Sequence, residues 1–259
     1  MTRSRGLGDV YKRQFYNHKR GDGFRNNSNY KSNNVYVHLK KNLSNKSELS
    51  GEVTYMNYLA KQAGGLSDRM FMNNPMQSNR SRNWFELDWL LYNFKFKHRF
   101  NEKTNLSFNL FGLDAERNTV GFRTNRVDQV DPLTERDLIR GNFNNHGLEL
   151  KILRKYKINE KKGTFVLGGK YYRSKSLSKQ GPGSEGSDAD FNIYLDEFPN
   201  YSNQSNYIYP NKNFAFFGEN VFYINERLSF TPGFRVENIV TKSNGNYKKI
   251  NLDGAGNVI

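Results

Sequence analysis

The sequence contains no cysteine and no long apolar run. Without cysteine, the 259-residue chain has neither disulfide bridges nor thiolate metal ligands. Only 36% of its residues are hydrophobic and the mean hydropathy is −0.87, so no window approaches the ~18 consecutive apolar residues of a membrane-spanning helix. These absences exclude a disulfide scaffold and helical membrane spans. The length allows one large β domain or two small ones.

The first residues also lack something: Met1–Asp9 has no apolar stretch of the kind found in a signal peptide. Residues 9–14 offer a reason for the absence of a signal peptide. Asp9–Gln14 can be encoded by GATGTGTATAAGAGACAG, the end sequence that transposase-based library kits attach to DNA fragments. We therefore predict that residues 1–14 are a sequencing-adapter artefact and that residues 15–259 are the natural protein. The alternative is a genuine basic turn.

Acidic residues are few, and the formal net charge is +15. A basic chain could bind the phosphates of nucleic acid. Here, however, the Lys and Arg residues are scattered through every segment, without a basic helix, zinc-ligand spacing or an RNA-binding strand motif. The distribution predicts no nucleic-acid partner.

Alternation of apolar and polar residues is the strongest local pattern. In Asn105–Gly112, Leu106, Phe108 and Leu110 alternate with Asn and Ser, as in a strand with two different faces. No segment predicts a helix. The alternation predicts eight strands: Val35–Asn42, Glu48–Leu59, Trp84–Phe100, Asn105–Arg117, Phe143–Lys157, Thr164–Ser176, Asn213–Ile224 and Leu228–Lys242.

The connections between these strands alternate between short and long. Polar tight turns are predicted at 43–47, 101–104, 158–163 and 225–227, and long loops at 60–83, 118–142 and 177–212. Strict alternation places all tight turns at one end of the sheet, as in outer-membrane barrels with short periplasmic turns and long extracellular loops. The sequence thus predicts an all-β fold: an open fragment of an antiparallel transmembrane β-barrel with about eight meander strands.

In such a barrel the apolar residues face lipid and the polar residues face a wet lumen. Aromatic residues gather near the predicted strand ends, as an interfacial girdle requires. The lumen-facing set is Glu52, Asn109, Glu149, Arg235 and Glu237. The lipid-facing set is Leu49, Val53, Leu106, Phe108, Leu148, Leu150, Phe230 and Val236.

Several stretches resemble the barrel of TonB-dependent outer-membrane receptors of the ferric-citrate type. The resemblance covers nearly all of Phe15–Ile259 and is most specific around Asn79–Phe85. The stretches that carry it are Tyr16–Leu39, Thr54–Asp68, Asn74–Trp89, Arg136–Glu149 and Leu252–Ile259.

The resemblance implies a plugged barrel of about 22 strands, monomeric at full length. It implies uptake of a ferric chelate, citrate or siderophore, energised by TonB through an N-terminal region that is missing here, in contact with outer-membrane lipid and lipopolysaccharide. We expect this chain to be an internal barrel piece without the plug.

Ligand recognition in such a receptor points to arginine. Ferric chelates carry carboxylates or hydroxamates, and a guanidinium group binds a carboxylate through two parallel hydrogen bonds. The alternative is that these arginines pair with lipopolysaccharide phosphate or only solvate a loop. The predicted ligand-binding residues are Arg80, Arg82, Arg123 and Arg126, with Gln77 and Asn79 as polar supports.

Enzyme and cofactor motifs are weak. Gly181–Gly186 satisfies G-x-G-x-x-G but contains Pro182 and precedes no helix. His18, His38, His98 and His146 lack metal-ligand spacing. We predict no enzymatic activity, cofactor or metal. A passive outer-membrane porin and a soluble carbohydrate-binding β protein remain as alternative functions.

Overall fold

The computed structural model describes residues 10–124 and 126–248. Within them, one antiparallel sheet has the strand order β1-β2-β3-β4-β5-β6-β7-β8-β10, and β9 and β11 also pair with β8. The elements are β1 (Val10–Gly21), β2 (Tyr30–Ser44), β3 (Ser47–Lys61), α1 (Asp68–Asn73), β4 (Trp84–Asn101), β5 (Thr104–Gly121), β6 (Asp137–Ile158), β7 (Lys161–Pro182), β8 (Ser205–Tyr223), β9 (Ser229–Phe230), β10 (Gly233–Thr241) and β11 (Asn244–Tyr247).

The predicted all-β meander is confirmed. The last three elements form one edge of the sheet, because β9, β10 and β11 follow β8 in a single register. The interruptions between them fall at Pro232 and opposite Pro210, and proline has no N–H to donate to a ladder. Both proline carbonyls are used: Asn220 N–H donates to Pro232 at 2.9 Å and Lys242 N–H to Pro210 at 3.0 Å. The described chain therefore has nine long strands.

Three elements were not predicted: strand β1, helix α1 and strand β11, which lies beyond the predicted strand that ends at Lys242. Strand β1 pairs with β2 along its whole length, and its first five residues belong to the segment assigned to an adapter. The short helix α1 begins after Ser67, whose hydroxyl accepts a hydrogen bond from Met70 N–H at 3.3 Å. No helix in the described ranges is long and apolar enough to cross a membrane.

The strands also extend further toward the long loops than predicted. Strand β6 begins at Asp137 rather than Phe143, β7 ends at Pro182 rather than Ser176, and β8 begins at Ser205 rather than Asn213. In these extensions polar residues occupy both faces, so the sequence lacks the alternation by which the rest of each strand was predicted.

The connections alternate as expected. Two-residue turns join β2 to β3, β4 to β5 and β6 to β7, and a short turn at residues 224–228 joins β8 to β9, all at one end of the sheet. Longer loops follow β1, β3, β5 and β7 at the opposite end. Asn159 and Glu160 have φ of 44° and 66°, the geometry of a tight hairpin. We call the opposite end the loop end. Its loops are L1 (22–29), L2 (62–83), L3 (122–136) and L4 (183–204).

Side chains on the two faces of the sheet differ in exposure, which indicates that the sheet is curved. Along β6, Leu148, Leu150 and Ile152 are exposed, whereas the intervening Glu149 and Lys151 are half-buried. Side chains crowd on the inside of a curved sheet, so we call the leucine side convex and the other side concave.

A band of apolar residues crosses the convex face. The strand register aligns Phe94, Leu110, Leu148, Tyr171 and Phe214 in one row from β4 to β8. The next row toward the tight turns is equally apolar. It contains Leu49, Phe96, Phe108, Leu150, Phe216 and Val236. All eight residues predicted to face lipid lie on this face.

At the height of this band, the concave face carries charge. Lys40 and Lys97 flank Glu48 at 2.6 and 3.5 Å, and Lys151 pairs with Glu149 at 2.6 Å. All five residues predicted to face the lumen lie on this face. An ordinary core is nearly absent among the described residues: the buried apolar side chains are Ala60, Ala63, Val120, Leu138, Phe191 and Ala215.

Candidate functional site

The candidate site lies at the loop end, where loops L2, L3 and L4 interlock through buried guanidinium groups. Arg82 in L2 is 4% exposed. Its Nε and Nη2 donate to the two carboxylate oxygens of Asp131 in L3 at 3.0 and 2.5 Å. Its Nη1 donates to the carbonyls of Thr134 and Glu185, at 3.0 and 2.8 Å. One side chain thus joins three loops.

Asp131 is ionised in this arrangement. Burial opposes its charge, but hydrogen bonds from Arg82 and from the Leu133 N–H outweigh burial, so the pKa of Asp131 lies below the ordinary value. The pair is nearly enclosed, with 5% and 9% of the two side chains exposed. Breaking such a pair is costly, since the remaining charge stays buried.

Arg136, at the end of L3, is completely buried and was not predicted. Its Nε donates to Ser184 O at 3.0 Å, its Nη2 to Ser184 Oγ at 2.6 Å, and its Nη1 to the carbonyls of Asp188 and Arg82 at 2.7 and 3.2 Å. Burial lowers the pKa of Arg136, and the nearby Asp188 partly offsets this effect. The sequence signal was slight: one arginine before a strand in a chain rich in arginine.

Arg80 is also buried, with 5% exposed. Its Nη1 donates to the carbonyls of Asn79 and Gln129 at 2.6 and 3.0 Å, and its guanidinium lies 4.9 Å from the centre of the Phe122 ring. The two predicted polar supports bind backbone nearby: Gln77 donates to Met70 O and Asn79 to Val127 O. Arg80 and Asn79 thus bind L2 to L3, and Gln77 forms its hydrogen bond within L2.

Arg123 and Arg126 are more exposed than Arg80 and Arg82. The Arg123 side chain is 43% exposed and its Nη1 donates to Asp137 at 2.9 Å, while Arg126 is 76% exposed beside Asp128 at 3.3 Å. The structure thus divides the four predicted arginines into two buried loop ties and two exposed groups in L3. Ligand contact by any of them stays a prediction.

Asp137 is a second junction that the sequence did not reveal. It is buried, and it accepts hydrogen bonds from Arg123, from Gln180 Nε2 at 3.0 Å and from Tyr201 Oη at 2.7 Å. Burial raises the pKa of Tyr201, and the neighbouring Asp137 raises it further. These contacts hold the end of L4 against the first residue of β6.

No group of three or more His, Cys, Asp or Glu residues in ranges 10–124 and 126–248 could hold a metal ion. Two cavities open near the loop end, of about 320 and 600 Å³. The smaller includes Arg20, Tyr30 and Trp84, and the larger, which we call the acidic groove, includes Asp88 and Asp114.

Known structures resemble this sheet. No protein family and no curated protein sequence matches the chain. The ferric citrate transporter FecA in its unliganded form superposes with a TM-score of 0.74 at 15% identity, over 93% of this chain and 34% of FecA. The chain has the fold of part of that barrel.

Two further structures agree. The ferripyoverdine receptor of the outer membrane of Pseudomonas aeruginosa gives a TM-score of 0.69 at 12% identity, over 93% of this chain and 35% of the receptor. The ferric-catecholate import receptor Fiu from E. coli K12 gives 0.66 at 9%, over 93% and 42%. This chain therefore spans about a third of the first two proteins. The three are transporters or receptors rather than enzymes.

Proposed function

We propose that this chain is part of the barrel of a TonB-dependent outer-membrane receptor that takes up a ferric chelate of the citrate or siderophore class. The observation that carries the proposal is the inverted sheet: an apolar band on the convex face lies directly behind ion pairs on the concave face. A soluble sheet buries its apolar face, whereas a membrane barrel turns that face to lipid and keeps polar groups inside.

The dimensions support a membrane span. Along β6, the apolar and aromatic residues of the convex face lie between Leu148 and the half-buried Tyr156, a stretch of the strand interrupted by Arg154. This is close to the ~9–11 residues that a tilted strand needs to cross a bilayer. The strand then continues to Asp137 with polar residues on both faces, as expected of a wall that rises above the membrane.

The N-terminal adapter assignment fits the same geometry. Lys12 points to the convex face opposite Leu39, in a row that β4 to β7 fill with Phe94, Leu110, Leu148 and Tyr171. A natural strand here would carry apolar residues. We therefore propose that different residues precede Phe15 in the natural protein.

For the ligand, we propose that Arg123 and Arg126 make contact, and that Arg80 and Arg82, with Gln77 and Asn79, hold the loops that present them. The test is ferric-chelate binding by the complete receptor, using ferric citrate and a ferric hydroxamate as probes. Arg126→Gln and Arg123→Gln should each weaken binding of the cognate chelate at least fivefold.

Arg227→Gln, in the short turn after β8, is the matched control and should bind as the unmodified receptor does. Unchanged affinity in both L3 variants would remove these arginines from the site. Failure of the complete receptor to bind any ferric chelate would contradict the transport proposal itself.

A further inference from the structure

Exposed apolar side chains gather at the tips of loops L1, L2 and L3. In the helix α1 of L2, Phe71 is 55% exposed and Met72 is 81% exposed, and in L3 Val130 is 83% exposed. Exposed apolar groups that lie together generally mark a binding surface. We call this set the apolar rim, and its members are Phe24, Phe71, Met72, Met76, Val130 and Leu133.

Contacts between the loops bring the members of the rim together. The Met76 carbonyl in L2 accepts a hydrogen bond from the Asn26 N–H in L1 at 3.2 Å. On the other side of L2, Val127 of L3 packs over Gly65, where an added Cβ would lie 2.9 Å from Val127 Cγ1. L2 therefore holds the tips of L1 and L3 next to its own.

The bilayer lies too far away to cover the rim. Asp137, where β6 begins at the loop end, precedes Leu148 at the top of the apolar band by 11 residues. At about 3.3 Å per residue this distance is about 36 Å of strand. With strands tilted by about 35–45°, the loop end stands about 25–30 Å above the band. The partner of the rim must therefore come from the solution.

Two exposed guanidinium groups adjoin the rim. Arg69 in α1 takes part in none of the ion pairs formed within residues 10–124 and 126–248. It lies near Arg126 of L3, because both arginines lower the pKa of Asp128, Arg126 by a hydrogen bond and Arg69 by its charge. A molecule that covers the rim thus meets cations beside apolar groups. This combination fits a ligand with an anionic head and an apolar chain.

The composition and size of the rim favour a chain over a folded partner. Three of the five methionines of the protein, Met70, Met72 and Met76, fall in one turn of L2. Methionine is flexible and adapts to irregular apolar surfaces, as a chain of variable conformation requires. A stable protein interface uses about 20–30 residues on each side, and the rim is much smaller.

We propose that the apolar rim binds the alkyl chain of an amphiphilic ferric chelate, whose iron-binding head lies against the exposed arginines of L3. This inference rests on the proposed function and names the class of ligand within it. Each methylene group removed from water strengthens binding by up to about fourfold. Partial burial of a chain of about eight carbons should therefore strengthen binding at least tenfold.

The test uses the complete receptor in lipid nanodiscs, with empty nanodiscs to correct for chelate that partitions into lipid. The probes are a ferric trihydroxamate whose terminal amine carries an acetyl, octanoyl or dodecanoyl group, and a ferric citrate amide series of the same chain lengths. In one series, the octanoyl member should bind at least tenfold more tightly than the acetyl member. The variant F71N/M72Q should reduce this gain to less than threefold and leave the affinity for the acetyl member within twofold.

The matched control is L43Q/I158Q, which removes two exposed apolar side chains near the tight turns and should keep the full gain. Equal affinities for the acetyl and octanoyl members would overturn this inference and leave uptake of a ferric chelate standing. An F71N/M72Q receptor that keeps the gain would also overturn it, as would a receptor dimer that this variant dissociates. A receptor that binds no member of either series would contradict both proposals.

Discussion

Replacing Leu150 by arginine should destabilise the complete receptor in lipid far more than the same change would in a soluble protein. Leu150 lies in the middle of the band, between Leu148 and Ile152 on its own strand and opposite Phe108 on β5. It is 42% exposed on the convex face. If that face meets hydrocarbon, an arginine near the midplane costs about 2–4 kcal/mol.

The competing expectation for a water-facing sheet is smaller. Burying a whole leucine contributes about 1.5–3 kcal/mol, and only part of this side chain is buried, so removing it from a soluble sheet should cost about 1 kcal/mol. The arginine stem would recover some of that packing. The membrane orientation thus predicts a change of about 30- to 700-fold in the folding equilibrium constant, since ~1.4 kcal/mol is tenfold.

The assay is urea unfolding of the receptor in lipid vesicles, followed by tryptophan fluorescence and by heat-modifiable mobility in gels. Asn144→Arg is the control, because Asn144 lies on the same strand and face but above the band, beside Asp114. Its cost should stay below about 1 kcal/mol. Equal costs for the two variants, within about 0.5 kcal/mol, would refute the membrane orientation.

Asp131→Asn should leave the buried Arg82 without its partner at a local cost of about 3 kcal/mol, raising amide exchange in residues 126–136 about a hundredfold. Because the folded-state pKa of Asp131 is lowered, its stabilisation is fully present above the unfolded pKa of ~3.9 and is lost as pH falls through the lower folded value, so protection of L3 should persist at pH 5–7 and begin to decline only below about pH 4. Tyr201→Phe should cost about 1–2 kcal/mol and increase exchange in residues 195–204, and an unchanged rate would remove the Asp137 contact from the account. Since the chain has no cysteine, a spin label on Leu110→Cys should collide mainly with oxygen in the bilayer, and one on Asn109→Cys, on the concave face, should collide with that oxygen much less often.

The strands could be predicted because their apolar side chains follow a single period. Leu106, Phe108 and Leu110 must all reach the same face, and a one-residue slip would move every one of them. Strand β1 was not predicted, because Lys12 and Gln14 interrupt the alternation of apolar and polar residues on its convex face. The extensions above the band were not predicted for a related reason, since polar residues there occupy both faces.

The loop contacts were much less accessible to sequence reasoning. Arg82 and Asp131 are 49 residues apart, and their pairing depends on how two irregular loops fold. The sequence placed Arg80 and Arg82 at the junction of a loop and a strand, which is correct. Nothing in it distinguished a guanidinium that ties loops together from one left exposed, as Arg126 is.

Sequencing the source DNA outward from Phe15 and past Ile259 decides whether this sheet is part of a receptor barrel. We expect upstream codons that replace residues 1–14 and encode a plug with a TonB-contact segment, and further alternating strands after Ile259. If Met1–Gln14 is genuine and the reading frame closes after Ile259, the chain is a self-contained β protein, and the receptor assignment is wrong.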